Sequence, residues 1–334
     1  MHLAAILQRT PTDASSAPKD HPTATHYTTI PDFLADSSLD LIVITTAPDS
    51  HYDLCTQILN ADKHVLCEKP FVPTSKQASE LKELAHSKGK LICIYQNRRW
   101  DADFLTLQHL IKQDKLGRIV EYHTNFDRQK AERATNWKGE LPMSQAGGVL
   151  YDLGSHMIDQ AYTLFGMPTS VNGFFNIERD DPRKGEEPDA FTAVLRYGGK
   201  GAMLVFVKAS VISVLETQPR FLVKGTKGSY EKRGLDCQEA QLRNGGKPTD
   251  KGYGVEDESM AGSLTLLGGD GAIKKEVCKN MTAGAYPVFY EELARAVATG
   301  KEEDVPVKAG EVVDVLRILE AVKESAETGR SINF

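Results

Sequence analysis

The sequence lacks the long apolar runs that membrane spans require and the basic-flanked hydrophobic start of a secretory signal. It also lacks an excess of basic residues, since the formal net charge is −6 and the isoelectric point is near 5.9. Nucleic acids and anionic membranes usually bind basic surfaces, so neither is an expected partner. With 40% hydrophobic and 26% charged residues, the 334-residue chain has the composition of a globular protein with room for two domains.

Cysteines are few and odd in number, and no two of them have C-x-x-C spacing. They are Cys55, Cys67, Cys93, Cys237 and Cys278. The first three lie in or beside apolar segments, where a reduced cysteine behaves as a small hydrophobe. This usage predicts a reducing compartment, the cytoplasm.

Short apolar runs alternate with helical patterns through the first part of the chain. The runs are His2–Leu7, Asp40–Thr45, His64–Cys67 and Leu91–Tyr95. Each is apolar almost throughout, which is typical of parallel strands buried on both faces. Thr74 and Gln77 form a candidate capping box ahead of a helix, and the polar stretch Thr10–Thr25 is predicted as a loop. Residues 1–98 are therefore predicted to form a doubly wound α/β domain.

From residue 99 onward the pattern is that of an α+β domain. Predicted helices cover Ala102–Lys112, Val149–Phe165, Pro287–Ala298 and Ala309–Thr328, and predicted strands cover Ile119–Phe126, Ser170–Ile177, Ala190–Tyr197, Ala202–Val207 and Arg220–Val223. Turn signals between some of these strands favour an antiparallel sheet. The seam between the two domains is a natural place for a ligand.

Three clusters of residues are candidates for chemistry, and the first is Cys67-Glu68-Lys69-Pro70 at the end of an apolar run. The carboxyl edge of an open parallel sheet faces the ligand crevice. A lysine at this edge can exchange a proton with a substrate hydroxyl or carbonyl. The alternative is a strand-end lysine that points into water, as most lysines do.

The second cluster runs from Gly147 to Asp159. In a helix, Asp152, His156 and Asp159 fall on one face at positions i, i+4 and i+7. A carboxylate one turn from an imidazole orients it, as a general base requires. Two alternatives stay open, namely a histidine that is merely bonded to Asp152 and a metal site.

The third cluster is the segment from Tyr95 to Asp101, where the fourth apolar run reaches the domain seam. Arg98, Arg99 and the adjacent Trp100 have the chemistry to clamp a phosphate or carboxylate. Equally, the two arginines have the charge to join the domains by salt bridges.

Together these clusters resemble the Gfo/Idh/MocA family of oxidoreductases, which is named for glucose–fructose oxidoreductase and inositol dehydrogenase. Glu68-Lys69-Pro70 resembles its E-K-P motif, and Gly147 to His156 resembles its G-G-x-x-x-D-x-G-x-H motif. The segment from Thr45 to His51 is similar to the loop over the cofactor. The resemblance covers nearly the whole chain, with the motifs in the right order.

The resemblance implies a Rossmann domain over residues 1–98 and an α+β substrate and oligomerisation domain over residues 99–334 with a large, mostly antiparallel sheet. It implies hydride exchange between NAD(P) and a sugar-like hydroxyl. Lys69 would polarise the reacting oxygen, and His156 would act as acid, base or substrate ligand with the support of Asp152. Residues that would border the cofactor are Thr46, Pro48, His51, Glu68 and Asn97. No metal is implied, and a homo-oligomer, a dimer or tetramer, is expected by analogy.

Cofactor preference is read from the end of the first apolar run. An acidic residue there accepts the ribose 2′-hydroxyl of NAD, whereas an arginine favours the 2′-phosphate of NADP. The segment contains Arg9 and no acid, so NADP is expected. The alternative is an exposed loop arginine with no ligand.

The sequence contains no G-x-G-x-x-G turn, and it begins at the segment that matches the family's second strand. We therefore expect the Rossmann domain to lack its first βα unit and its sheet to have unpaired edges. Three interpretations follow: a shortened reading of a longer gene, a variant whose sheet edge pairs with another chain, or a protein that no longer uses the cofactor. The candidate functions are an NADP-dependent oxidoreductase or, where the cofactor is no longer used, a cofactor-independent lyase or isomerase or a non-catalytic ligand-binding regulator.

Overall fold

Short parallel strands and helices alternate at the start of the structure, a computed structural model that describes residues 1–13, 15–180, 187–199 and 201–334. The strands are β1 (Ala5–Leu7), β2 (Thr25–Tyr27), β3 (Leu41–Ile44), β4 (His64–Cys67) and β5 (Ile92–Ile94). The helices are α1 (Ala17–Asp20), α2 (Ile30–Ala35), α3 (His51–Asn60) and α4 (Ser75–Ser87). All four predicted apolar runs contain a strand, so the predicted α/β pattern is confirmed.

These strands form two parallel sheets, one of β1 and β2 and one of β3, β4 and β5 in that order. Among the described residues, β1 pairs only with β2 and β3 pairs only with β4, so the expected unpaired edges are present. The prediction of a loop over Thr10–Thr25 holds only in part, because this stretch contains the four-residue helix α1 and ends where β2 begins, while residue 14 lies outside the described residues. The pairing starts where the Thr25 amide donates to the Ala4 carbonyl at 2.8 Å, a tertiary contact without a local apolar pattern.

The core of this region lies between the three-stranded sheet and its helices. Leu59, Leu66 and Leu81 are almost completely removed from solvent, and burial of each leucine stabilises the fold by about 1.5–3 kcal/mol. Thr74 accepts a hydrogen bond from the Gln77 amide at 3.2 Å, which confirms the predicted start of α4. Cys55, Cys67 and Cys93 are buried, and all five thiols are free.

The rest of the chain is built around a large sheet, which has nine strands in the part of the chain that the structure describes. Its strands are β6 (Ile119–Asn125), β7 (Ser170–Asn176), β8 (Ala190–Tyr197), β9 (Met203–Ala209), β10 (Pro219–Gly225), β11 (Gly228–Arg233), β12 (Gly262–Leu267), β13 (Ile273–Cys278) and β14 (Ile332–Asn333). The helices are α5 (Ala102–Lys112), α6 (Trp137–Glu140), α7 (Ser155–Phe165), α8 (Gln238–Arg243), α9 (Tyr286–Thr299) and α10 (Ala309–Thr328).

The strand order of this sheet is β13-β12-β11-β10-β6-β9-β8-β7-β14. The described pairs are antiparallel except β6 with β9, so the expectation of a large, mostly antiparallel sheet is confirmed. Helix α10 packs against β7 on one side and α4 on the other, and thereby joins the sheet to the first domain. The opposite face of the sheet keeps a row of half-exposed side chains in register across neighbouring strands, namely Val194, Phe206, His123 and Leu222.

The predicted helices α5 and α10 have the observed bounds, and the predicted strands at β6 to β10 are present. Strands β11, β12 and β13 were not predicted. Strand β13 is exposed along nearly its whole length and carries two lysines and a glutamate, so it has no apolar alternation. It forms a strand because its backbone pairs with β12 in an antiparallel register over its whole length.

Candidate active site

Two adjacent glycines shape the approach to the second motif. A Cβ atom on Gly147 would lie 1.9 Å from the Leu141 carbonyl oxygen, so only glycine fits there. Gly148 has φ +75°, a left-handed conformation that disfavours other residues. The chain then forms a single π-helical segment over Leu150–Gly154 before α7 begins at Ser155. This wider turn separates Asp152 from the regular α-helix that carries His156.

Lys69 and Asp152 meet across the seam between the two domains. Lys69 follows β4 at the carboxyl edge of the parallel sheet, and its Nζ atom donates to Asp152 Oδ1 at 2.9 Å and to the Asp152 backbone carbonyl at 3.0 Å. The Lys69 side chain is 19% exposed and that of Asp152 is 37% exposed. The lysine therefore does not simply point into water, because an acid of the second domain holds its ammonium group at the rim of the crevice.

The Asp152 carboxylate stays charged throughout the physiological pH range. Burial by itself would raise its pKa, but the Lys69 ammonium and its hydrogen bond, together with Arg128 and Lys138, lower the pKa to about 2. Arg128 Nη2 lies 3.5 Å from the second carboxylate oxygen, Oδ2. Asp152 is consequently an anchor for cations and a poor proton acceptor at neutral pH.

His156 is nearly completely buried at the start of α7. Burial, followed by the charges of Lys69, Arg98 and Arg220, moves its pKa well below the usual histidine value, so the imidazole is neutral. Its Nδ1 atom is buried and has no hydrogen-bond partner among the described residues. A neutral imidazole is chemically able to accept a proton from a substrate hydroxyl.

The predicted pairing of Asp152 with His156 was wrong. Asp152 binds Lys69 and Arg128, while Asp159 accepts two hydrogen bonds from Arg99 at 2.7 and 2.8 Å. The π-helical segment breaks the regular i, i+4, i+7 row on which the prediction depended. Among the described residues there is no group of three His, Cys, Asp or Glu side chains that could bind a metal ion.

The arginines of the third cluster lie at the boundary between the two domains and form salt bridges with the second domain. Arg99 bridges Asp159 on α7 and Glu311 on α10, the latter at 2.7 Å. Arg98 pairs with Glu239 on α8 at 2.5 Å. Both guanidinium groups are buried and paired, so the structure supports the salt-bridge alternative and not an anion clamp.

The residues predicted to border the cofactor follow three neighbouring parallel strands at one sheet edge. Thr46 follows β3 and is exposed, Glu68 follows β4, and Asn97 follows β5. Burial raises the Glu68 pKa. This set of hydroxyl, carboxyl and amide groups fits the ribose hydroxyls and carboxamide of a nicotinamide nucleotide.

Three further predicted residues occupy different positions. Pro48 is buried in the short turn before α3. His51 is completely buried, with Nε2 3.0 Å from the Thr46 carbonyl and Nδ1 2.9 Å from the Phe71 carbonyl, so it supports the loops and offers no surface to a ligand. Arg9 lies just beyond β1 and is exposed, and its guanidinium has no partner among the described residues.

Sequence reasoning missed Arg128 and Lys138. Arg128 lies three residues beyond the end of β6, a position that could have been recognised because β6 leads toward the seam. Burial would raise the pKa of Glu239, but the charges of Arg98 and Arg243, the hydrogen bond from Arg98 and the charge of Lys69 lower it. No local pattern distinguishes Lys138 from an ordinary surface charge.

The parallel α/β sheet thus presents Lys69 at its carboxyl edge to a second part of the chain that is built on a large, mostly antiparallel sheet. The family model described as "Oxidoreductase family, NAD-binding Rossmann fold" matches residues 1–96, and the model of the C-terminal alpha/beta domain matches residues 108–334. The chain belongs to the Gfo/Idh/MocA family of oxidoreductases, with an NAD(P)-binding Rossmann domain. No described helix is long and apolar enough to cross a membrane.

Several known proteins are similar over nearly the whole chain. An uncharacterized oxidoreductase of Schizosaccharomyces pombe is 38% identical over 99% of this chain and 91% of its own length. The scyllo-inositol 2-dehydrogenase (NADP(+)) IolW of Bacillus subtilis is 35% identical over 94% of this chain and 84% of its own length. The solved structure of the oxidoreductase YvaA of Bacillus subtilis has a TM-score of 0.88 and 32% identity, and the match covers 99% of this chain and 90% of that one.

Proposed function

We propose that the chain is an NADP-dependent dehydrogenase or reductase that acts on a secondary hydroxyl, or the matching ketone, of a sugar, a polyol or a related compound. The observation that carries this proposal is the Lys69 ammonium, held 2.9 Å from Asp152 at the carboxyl edge of the parallel sheet. The bound nicotinamide cofactor supplies or accepts the hydride. The protein's own residues bind the substrate oxygen and move its proton.

Lys69 polarises the substrate carbonyl and donates a proton to its oxygen in the reductive direction. Asp152 keeps the ammonium group in place through two hydrogen bonds and does not itself exchange protons, because its pKa is about 2. In the oxidative direction the same path runs in reverse, so the neutral Lys69 amine takes up the hydroxyl proton, and the neutral imidazole of His156 relays that proton or binds the substrate. Lys69 therefore exchanges the proton in both directions, Asp152 anchors Lys69, and His156 assists.

NADP is the proposed cofactor because Arg9 follows β1 with an exposed and unpaired guanidinium in the part of the chain that the structure describes. The relative IolW is named as an NADP(+) enzyme. Five free cysteines are consistent with a reducing compartment, and we infer a cytoplasmic location.

A second copy of the chain is the proposed partner of the open sheet face. The row of Val194, Phe206, His123 and Leu222 is partly apolar and in register across four strands, and the His123 and Phe206 rings stack with centroids 4.4 Å apart. A sheet face that is packed on one side and partly apolar on the other is a candidate self-association surface.

The deciding experiment titrates the purified chain with NADPH and follows cofactor fluorescence, then measures NADP(H)-linked turnover on a panel of polyols and ketoses. Saturable NADPH binding together with turnover that Lys69→Met abolishes is the expected result. Absence of binding at millimolar NADPH would contradict the proposal for this chain. Turnover that persists after the cofactor is stripped would instead assign Lys69 and His156 to a lyase or isomerase, and retained function without either residue would indicate a regulator.

A further inference from the structure

Positive charge surrounds the substrate side of the Lys69–Asp152 pair. Arg128 reaches Asp152 Oδ2 at 3.5 Å, and its Nε atom is buried without a hydrogen-bond partner among the described residues. Guanidinium groups present several donors in a fixed fork that matches carboxylate and phosphate. Asp152 contacts only the Nη2 atom of this guanidinium group. The other N–H groups of Arg128 are therefore available to an anion in the crevice.

Lys130 lies on the same side of the chain as Arg128. Beyond β6 the backbone continues as an extended segment beside residues 210–211, with the Arg128 amide donating to Ser210 at 3.0 Å and the Lys130 amide donating to Val211 at 2.8 Å. Side chains two residues apart in an extended segment project from the same face. Since the Arg128 side chain extends toward Asp152, the Lys130 side chain is expected on the same face of the segment.

Lys138, on the short helix α6, completes the group. Its charge helps to lower the pKa of Asp152 and opposes the rise that burial causes in the pKa of Glu68, so its field acts on both carboxyl groups. Burial and the charges of Arg128, Arg179 and Lys138 lower the pKa of Lys130. Arg179 itself is neutralised by Asp189 at 3.4 Å. Within the described chain, neither Lys130 nor Lys138 forms an ion pair with a carboxylate.

Lys130 and Lys138 are exposed to solvent. Together with Arg128 they give this side of the crevice more positive than negative charge, because Lys69 already occupies the one ionised acid there. We propose that the substrate carries an anionic group, a phosphate or a carboxylate, which Arg128, Lys130 and Lys138 bind while the reacting carbon lies at Lys69. The inference rests on the proposed function, and it narrows the substrate to a phosphorylated or acidic sugar or polyol. It differs from the uncharged substrate in the name of the relative IolW.

Inorganic phosphate is the first probe, because Trp137 precedes Lys138 and their side chains are in contact, with Nζ 5.4 Å from the ring centroid. Phosphate should change the tryptophan fluorescence in a saturable manner at millimolar concentration. The double variant Lys130→Gln/Lys138→Gln should weaken this binding roughly tenfold or more, since two charge contacts are lost. Lys274→Gln on β13, which removes an exposed lysine far along the sheet, is the matched control and should change nothing.

The second test compares the affinities of glucose, glucose 6-phosphate and glucuronate. These compounds share one sugar ring and differ in the charged group attached to it. Calorimetry should show at least one anionic sugar bound about tenfold more tightly than glucose, and the better of the two identifies phosphate or carboxylate as the recognised group. Inorganic phosphate should compete with that sugar. Equal affinity for all three compounds, no phosphate binding at all, or competition with NADPH alone would overturn the inference.

Failure of this inference is distinguishable from failure of the proposed function. A chain that reduces neutral ketoses with NADPH and is unaffected by the double lysine variant remains a dehydrogenase, and only the substrate class is overturned. Anion binding without any NADPH binding overturns the dehydrogenase instead.

Discussion

The Nζ atom of Lys69, from the parallel-sheet domain, lies 2.9 Å from Oδ1 of Asp152, from the domain of the large sheet. The two residues are 83 positions apart in the sequence. A shift of either domain by one or two ångströms would break the contact. The candidate active site therefore exists only when the two domains are docked.

Replacement of Asp152 should lower turnover while the chain stays folded. Asp152→Asn keeps a hydrogen-bond acceptor for Lys69 but removes the negative charge, so we expect kcat to fall by about 10–100-fold, and Lys69→Met to cost about 100–10,000-fold as loss of an acid–base group does. Steady-state NADPH oxidation measures both effects. Lys76→Met, at an exposed pair with Glu80, is the control. Full activity of the Asp152→Asn variant would show that the Asp152 charge is not needed for turnover.

Acid should destabilise the protein through His156. The folded-state pKa lies well below the unfolded value near 6.5, so below pH 6.5 the unfolded chain binds a proton that the folded chain excludes. Stability is therefore unaffected above pH 6.5 and falls by about 1.4 kcal/mol for each pH unit below it. Urea unfolding at pH 7.5 and 5.5 should show a smaller loss in His156→Asn than in the wild type. His86→Asn, an exposed histidine on α4, should show the wild-type loss.

Loss of Arg99 should be among the most destabilising single changes at the domain seam. Arg99→Met leaves Asp159, which is 1% exposed, charged and without its two hydrogen bonds. Removal of one partner of a buried pair costs about 3–5 kcal/mol. Arg317→Met, which removes an exposed pair with Asp314, should cost less than about 1 kcal/mol. Similar urea midpoints for the two variants would show that the seam does not depend on Arg99.

Arg9 should decide between the two nicotinamide cofactors. Arg9→Gln should weaken NADPH binding by roughly tenfold or more, since a charge-assisted contact to phosphate is lost, and should leave NADH binding nearly unchanged. Fluorescence titration with each cofactor gives the ratio. Arg118→Gln, at another exposed arginine, serves as the control. Equal losses of affinity for NADPH and NADH would mean that Arg9 does not bind the 2′-phosphate.

Self-association should depend on the open sheet face. Phe206→Glu places a charge at the centre of the half-exposed row beside His123, so we expect the oligomer to dissociate without loss of the fold. Light scattering gives the mass and circular dichroism checks the secondary structure. Val214→Glu, at a strongly exposed apolar residue outside the described strands, is the matched control. A wild-type chain that is monomeric in solution would contradict the proposed self-association.

Local patterns in the sequence were sufficient for most of the secondary structure. Apolar runs placed β3, β4 and β5, helical periodicity placed α5 and α10, and motif resemblance placed Lys69, Asp152 and His156. These features depend on neighbouring residues and on the edge of a parallel sheet, both of which are readable without coordinates. The division at residue 98 and the roles of the site residues remain predictions.

The tertiary structure decided which charged side chains pair with one another. Asp152 holds Lys69 and not His156, because a π-helical segment turns it away from the regular helix, and Arg99 is used for the seam because Asp159 and Glu311 converge on it. The three cations beside the crevice come from two separate segments whose proximity no spacing rule predicts. Sequence by itself determined which chemical groups are available. Only the docking of two domains decided which charges meet, since electrostatic contacts depend on distances across the seam and on burial.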